Sequence, residues 1–168
     1  MALYVLLGLA ALFSFRAVTA WRYGFFLMIL LAAVQDPLRK LVPGTPGWLV
    51  LITAPVFLAT VLGAAMRTRG WWAVFKRAYP QVGNALLLLI LLCVPAAILS
   101  ATYGPGSWML TVLGAFSYAS IFLAVITGFH FPRDPKSVRK LLVVYCLAHG
   151  VMLSGAVLEY YAVFPAMQ

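Results

Sequence analysis

Residues 85–103 carry no charged side chain, and neither do residues 107–130. Each stretch matches the roughly 20 residues that an α-helix needs to cross about 30 Å of hydrocarbon. In that medium no water satisfies exposed backbone N–H and C=O groups, so the spanning solutions are helices and closed barrels. These runs are continuous, rich in Leu, Ala and Val, and lack the apolar–polar alternation of barrel strands. The rest of the chain agrees. It is 65% hydrophobic and only 9% charged, too little charge to cover a soluble domain of this length. The fold class expected is therefore all-α, a polytopic helical membrane protein with five or six transmembrane helices.

The apolar segments fall at residues 2–15, 23–35, 47–66, 85–103, 107–130 and 139–163, read as one transmembrane domain over 1–168. The first two are short, which fits tilting, local bilayer thinning or packing against partner proteins. If the first lay at the interface, five spans would remain. Residues 2–20 also look in part like a secretory leader, with Val18-Thr19-Ala20 as a small-residue site. No positive charge precedes the run and Arg16 interrupts it, so it is read as retained.

A net charge of +9 would suggest a nucleic-acid partner in a soluble protein. Here the twelve basic residues sit almost entirely in the connections between apolar runs, and no nucleic acid is expected. Arg16 and Arg22 lie in the first connection, Arg67, Arg69, Lys76 and Arg77 in the third, and Arg133, Lys136, Arg139 and Lys140 in the fifth. The second holds only Arg39 and Lys40, and the fourth none. Positive charge stays inside, so the odd connections are expected to be cytoplasmic and the carboxyl terminus extracytoplasmic. The expected location is a bacterial inner (cytoplasmic) membrane.

The connections carry local signals. Asp36-Pro37 and Asp134-Pro135 each set a capping carboxylate before a proline suited to a first helical turn. Pro43-Gly44-Thr45-Pro46-Gly47 reads as a rigid turn. Gly104-Pro105-Gly106 reads as a tight hairpin that makes its flanking helices antiparallel neighbours. From Arg67 to Asn84, Trp71, Trp72, Phe75 and Tyr79 alternate with the four basic residues. Aromatic rings favour the headgroup layer and cations favour anionic lipid. Residues 67–84 are thus expected to lie along the cytoplasmic surface, with Trp71, Trp72, Lys76 and Arg77 touching headgroups or a partner.

Polar residues at membrane depth are few. His149, in Cys146-Leu147-Ala148-His149-Gly150, sits near the middle of the last apolar run, where an ionisable side chain is costly and usually faces protein. One reading is a neutral imidazole bonded to a carbonyl or hydroxyl of a neighbouring helix. The functional ones are a donor to a lipid-linked substrate, a proton relay, or an axial ligand to a porphyrin-type pigment, for which Ala148 and Gly150 leave room. His130, at the cytoplasmic end of the preceding run, is explained by its interface position, with a ligand role as the alternative. Glu159 is expected to pair with Arg39 or Lys40, or those charges to meet an anionic headgroup. Pro55 and Pro95 are candidate kinks. Ser120, Ala124 and Gly128 form one small-residue stripe, and Cys146, Gly150 and Ser154 another; such stripes let helices approach closely. Cys93 and Cys146 are expected to pack as small residues and not to form a disulfide or metal pair.

With three carboxylates, no paired metal ligands, no phosphate loop and no Ser-His-Asp set, no catalytic residue is assigned. Residues 35–44 (Gln35-Asp36-Pro37-Leu38-Arg39-Lys40-Leu41-Val42-Pro43-Gly44), 101–106 and 129–159 resemble the amino-terminal part of O-antigen ligase and polymerase-like membrane proteins, which assemble surface polysaccharide. That resemblance covers most of the chain. It implies an undecaprenyl-linked glycan donor whose pyrophosphate Arg39 and Lys40 would contact. Family members have about twice as many spans, and their active residues lie in a large extracytoplasmic loop that has no counterpart here, so no catalytic role is carried over. The function expected first is instead a non-catalytic subunit within a larger membrane assembly, with lipids and other integral membrane proteins as partners. One form of it is an accessory subunit of a pigment–protein complex.

Overall fold

The computed structural model describes residues 2–40, 47–102, 104, 107–132 and 134–161, although at positions 36, 38–40 and 159, among others, it describes the backbone alone. Every described element is helical: α1 (Ala2–Thr19), α2 (Trp21–Lys40), a 3₁₀ segment (Gly47–Thr53), α3 (Ala54–Arg67), α4 (Trp71–Ala78), α5 (Pro80–Ala101), α6 (Ser107–His130) and α7 (Pro135–Tyr160). Three of them hold stretches long and apolar enough to cross a membrane: Pro80–Ser100, Thr111–His130 and Pro135–Leu158. A fourth arises if Leu51–Arg67 and Trp71–Ala78 count as one interrupted span. These helices mark the chain as a multi-pass membrane protein.

The boundaries differ from the sequence reading in three places, each time because of proline or a short break. Pro37 does not open a new helix; it lies inside α2, near its end. There its missing N–H removes only a bond of the final turns. Pro55 does not kink a helix either, because α3 begins at Ala54 and the first turn has no use for that N–H. Residues 80–84, expected on the membrane surface, form the first turn of α5, with Pro80 at its start. Asp134-Pro135 does what its chemistry suggests. The Ser137 N–H donates to Asp134 Oδ1 at 2.8 Å, and α7 opens on Pro135. Pro95 lies inside α5.

The chain divides into two compact units, residues 1–66 with 132–168, and residues 67–131. In the first, α1 and α2 form a hairpin broken only at Ala20, whose carbonyl accepts from the Tyr23 N–H. Its core joins Leu6, Ala10 and Ala17 of α1 with Leu31 of α2, Leu49 and Ile52 of the 3₁₀ segment, and Val56 and Ala59 of α3. Two glycines set how close these helices come. A Cβ on Gly63 would lie 2.8 Å from the Val18 carbonyl oxygen and 2.9 Å from that of Ala17. One on Gly24 would overlap the side chain of buried Thr60, whose hydroxyl donates to Val56 O at 2.7 Å. With little hydrophobic drive between helices in lipid, such backbone proximity is what holds them. α7 packs against α2, with Lys140 Nζ 5.9 Å from the centre of the Phe26 ring.

In the second unit α5 and α6 form an antiparallel hairpin, tied near its open turn by Thr111 Oγ1 donating to Ser100 Oγ at 2.9 Å. α4 packs on both helices. Its core is Phe75 with Leu86 of α5 and Ile126 of α6, ringed by Trp71, Trp72, Phe122 and Phe129. Among the expected turns, residues 43–46 and 105–106 lie outside the described residues.

Candidate functional site

Two places gather the chemistry that the sequence offers. The first is α7. Across its 24-residue apolar stretch no residue is buried, and His149 is exposed. Its Nδ1 lies 3.0 Å from the carbonyl oxygen of Tyr145, one turn earlier on the same helix, and the two rings stack with centroids 4.0 Å apart. The expected partner on a neighbouring helix is thus replaced by one within α7. A carbonyl only accepts, so Nδ1 is the donor in this contact, and in the neutral tautomer Nε2 is then the acceptor. Cys146, Gly150 and Ser154 are exposed as well. Ser154 turns its hydroxyl back onto Gly150 O at 2.8 Å, the usual way a helix satisfies a serine in apolar surroundings.

Among the described residues, the glycines of the small-residue stripes do not make the close contacts that their spacing suggests. A Cβ on Gly150 or on Gly128 would meet nothing within 4 Å. Spacing identifies a smooth face without saying whether it is used, and the tight approaches fall instead at Gly24 and Gly63. Both cysteines are free thiols, Cys146 exposed and Cys93 half-buried. Cys93 lines a cavity of about 180 Å³ between α5 and α6, together with Ser100, Thr111, Tyr118 and four small residues.

The second place is the α4 region. The rings expected in the headgroup layer turn inward: Trp72 packs on Phe122 at 5.3 Å between centroids, and Phe75 and Tyr79 meet Phe129 edge-on at 5.5 and 5.7 Å. Trp71 and Trp72 are half-buried and Phe75 is buried. Interface position alone does not account for His130. Its Nε2 donates to the Trp71 carbonyl at 2.8 Å, joining α6 to the start of α4. Arg67, Arg69 and Arg77 are exposed and Lys76 is half-buried. The aliphatic stem of Lys76 lies over α5, where a Cβ on Gly83 would stand 3.2 Å from Lys76 Cγ.

The structure brings Trp71, Trp72, Lys76, Arg77 and His130 into one unit. The side chains of Arg39, Lys40 and Glu159 lie outside the described residues, and so does their expected pairing. Sequence reading missed Gln35, which is buried on α2 with Oε1 lacking a hydrogen-bond partner among the described residues. A glutamine at the end of an apolar run was the available signal. Among the described residues no three His, Cys, Asp or Glu side chains converge on a metal-sized site. Comparison with family models, with curated proteins and with solved structures gives no match.

Proposed function

We propose that the chain is a non-catalytic integral membrane subunit of five or six spans, packing through α7 within a larger assembly in a bacterial inner membrane, its carboxyl terminus extracytoplasmic. The observation that carries this reading is the exposed imidazole of His149 at the centre of an apolar helix that buries nothing of its own. A hydrogen-bonding nitrogen and a run of small residues are poor company for acyl chains and good company for another helix. Five or six spans is compatible with the lengths of α1 and α2, 18 and 20 residues, which at about 1.5 Å per residue cover roughly 27–30 Å.

The exposed Cys146 thiol, one turn from Gly150 on α7, provides the test. Thiol cross-linking in native membranes should join it to a second membrane protein, and that protein should co-purify stoichiometrically in mild detergent. A monodisperse chain with nothing attached, and no cross-link, overturns the reading. A pigment-carrying assembly is one form of it. Its support is the tautomer of His149, because a ring that donates Nδ1–H to a carbonyl presents Nε2 as metal ligands do. That form requires visible absorbance in the purified complex, lost in His149→Ala.

The uncovered α7 also suits a second reading, the front part of an O-antigen ligase or polymerase-like enzyme, in which later spans would cover the same face. Arg39 and Lys40 would then meet the pyrophosphate of an undecaprenyl-linked donor as charge-assisted donors. An intact mass from the native source two to three times 18.3 kDa supports it; a mass of 18.3 kDa removes it.

A further inference from the structure

The second unit, residues 67–131, contains Arg67, Arg69, Lys76 and Arg77 and no carboxylate, since the three acidic residues of the chain are Asp36, Asp134 and Glu159. All four cations fall within eleven residues of sequence, on and just before α4, while α5 and α6 carry no Lys, Arg, Asp or Glu. The charge of this unit is thus uncompensated and confined to one end of the α5–α6 hairpin. The aromatic face of α4, which might otherwise have dipped into lipid, is already committed to Phe122, Phe129, Leu86 and Ile126. Beside Val74 and Tyr79, what α4 leaves for its surroundings is the cations. Three are exposed, and the stem of the fourth is laid along the bare backbone of Gly83.

We infer that this patch is a docking surface for the headgroups of anionic phospholipids, and that it holds the α4 end of the unit to an acidic leaflet. Charge complementarity selects the occupant. The patch adjoins an apolar hairpin of membrane-spanning length, and the anionic groups at the ends of such helices are lipid phosphates. A helix anchored by its own aromatic rings would bind neutral and acidic bilayers alike. A helix whose central ring is buried, whose two tryptophans are half-buried and whose arginines are exposed binds by charge more than by its rings, and it releases in salt.

The test uses the full chain in mild detergent, with bound lipid counted by native mass spectrometry against added phosphatidylglycerol or phosphatidylcholine. The wild-type chain should retain phosphatidylglycerol in preference, and should lose that preference as ionic strength rises. Near an anionic surface each Lys or Arg contributes a factor of about five. Arg67→Gln/Arg69→Gln/Lys76→Gln/Arg77→Gln should therefore lower phosphatidylglycerol retention more than a hundredfold and leave phosphatidylcholine unchanged. The charge-keeping exchange Arg67→Lys/Arg69→Lys/Lys76→Arg/Arg77→Lys should stay near wild type. Three results overturn the inference: equal retention of the two lipids by the wild-type chain, no salt dependence, or an equal loss in Lys136→Gln/Arg139→Gln/Lys140→Gln. The salt measurement needs no variant, so it decides the matter even if the four-charge change fails to fold.

Discussion

Phe75→Ala should release α4 from the α5–α6 hairpin while the hairpin itself stays formed. An isolated helix of eight residues has no stability of its own, so α4 persists only through what it packs against. Phe75 is its central contact. It is 3% exposed, touches Leu86 and Ile126, and has ring partners in Phe129 at 5.5 Å, Trp72 at 5.9 Å and Tyr79 at 6.2 Å. Truncating a buried phenylalanine to alanine typically costs about 3–5 kcal/mol, part of it from the lost edge-on aromatic contacts. The hydrogen bond of His130 to the Trp71 carbonyl, at about 1 kcal/mol, and the Trp72–Phe122 and Tyr79–Phe129 ring contacts would remain and keep the loss partial. The opening equilibrium of α4 should then rise by roughly two to three and a half powers of ten. Amide hydrogen exchange in detergent reads this directly, comparing residues 72–79 with residues 85–98. The α4 amides should lose protection by about that factor and the α5 amides should keep theirs. Phe75→Leu, which keeps most of the volume, should cost less than about 1.5 kcal/mol. Unchanged exchange in α4, or equal loss along the whole hairpin, would refute the argument that one aromatic ring holds the helix down.

Three further outcomes follow from the packing. Gly63→Leu should lower the thermal stability of the first unit markedly, because its Cβ would meet the Val18 and Ala17 carbonyl oxygens, which are backbone and cannot step aside; a melting curve like that of wild type contradicts this. Gly150→Leu should leave the melting of the purified chain unchanged, since nothing lies within 4 Å, and should weaken co-purification of the partner that we propose for α7. Asp134→Ala should cost about 1 kcal/mol through loss of the bond to the Ser137 N–H, with Asp134→Asn close to neutral, as measured by exchange in the first turn of α7.

The membrane-spanning helices were legible because hydrocarbon admits few charges, and the charge-free runs at 85–103 and 107–130 sit inside α5 and α6 with little adjustment. The start of α7 was legible for a different reason: a carboxylate before a proline can cap a helix locally, as Asp134-Pro135 does, although the same pair at Asp36-Pro37 lies inside α2. Where a residue type has two physical uses, sequence could not choose between them. Trp71, Trp72 and Phe75 suit the headgroup layer or a buried cluster equally well, and only the positions of Phe122 and Phe129, about fifty residues on, decide. The same holds for glycine. Gly150 lies in a three-membered small-residue stripe and meets nothing within 4 Å, while Gly24 and Gly63, each paired only with an alanine four residues before it, set the closest approaches of the first unit. For His149 the depth was readable from the run around it. Its bond to Tyr145 was not, because a carbonyl four residues back is available to any helical histidine.

The aromatic latch of α4 also bears on the order in which the protein is made. Phe75 leaves the ribosome well before Phe122, Phe129 and His130, the groups that will hold it. At about 5–20 residues per second the interval is roughly 3–11 s. Through that time α4 has only the start of α5 to pack on, its rings lack their α6 partners, and the cations on either side of them are its hold on the membrane surface. The helix can fold into place only when α6 has been inserted. The α5–α6 hairpin therefore has to enter the bilayer before the segment that precedes it in sequence takes its final form, so this part of the chain is completed from its far end backwards.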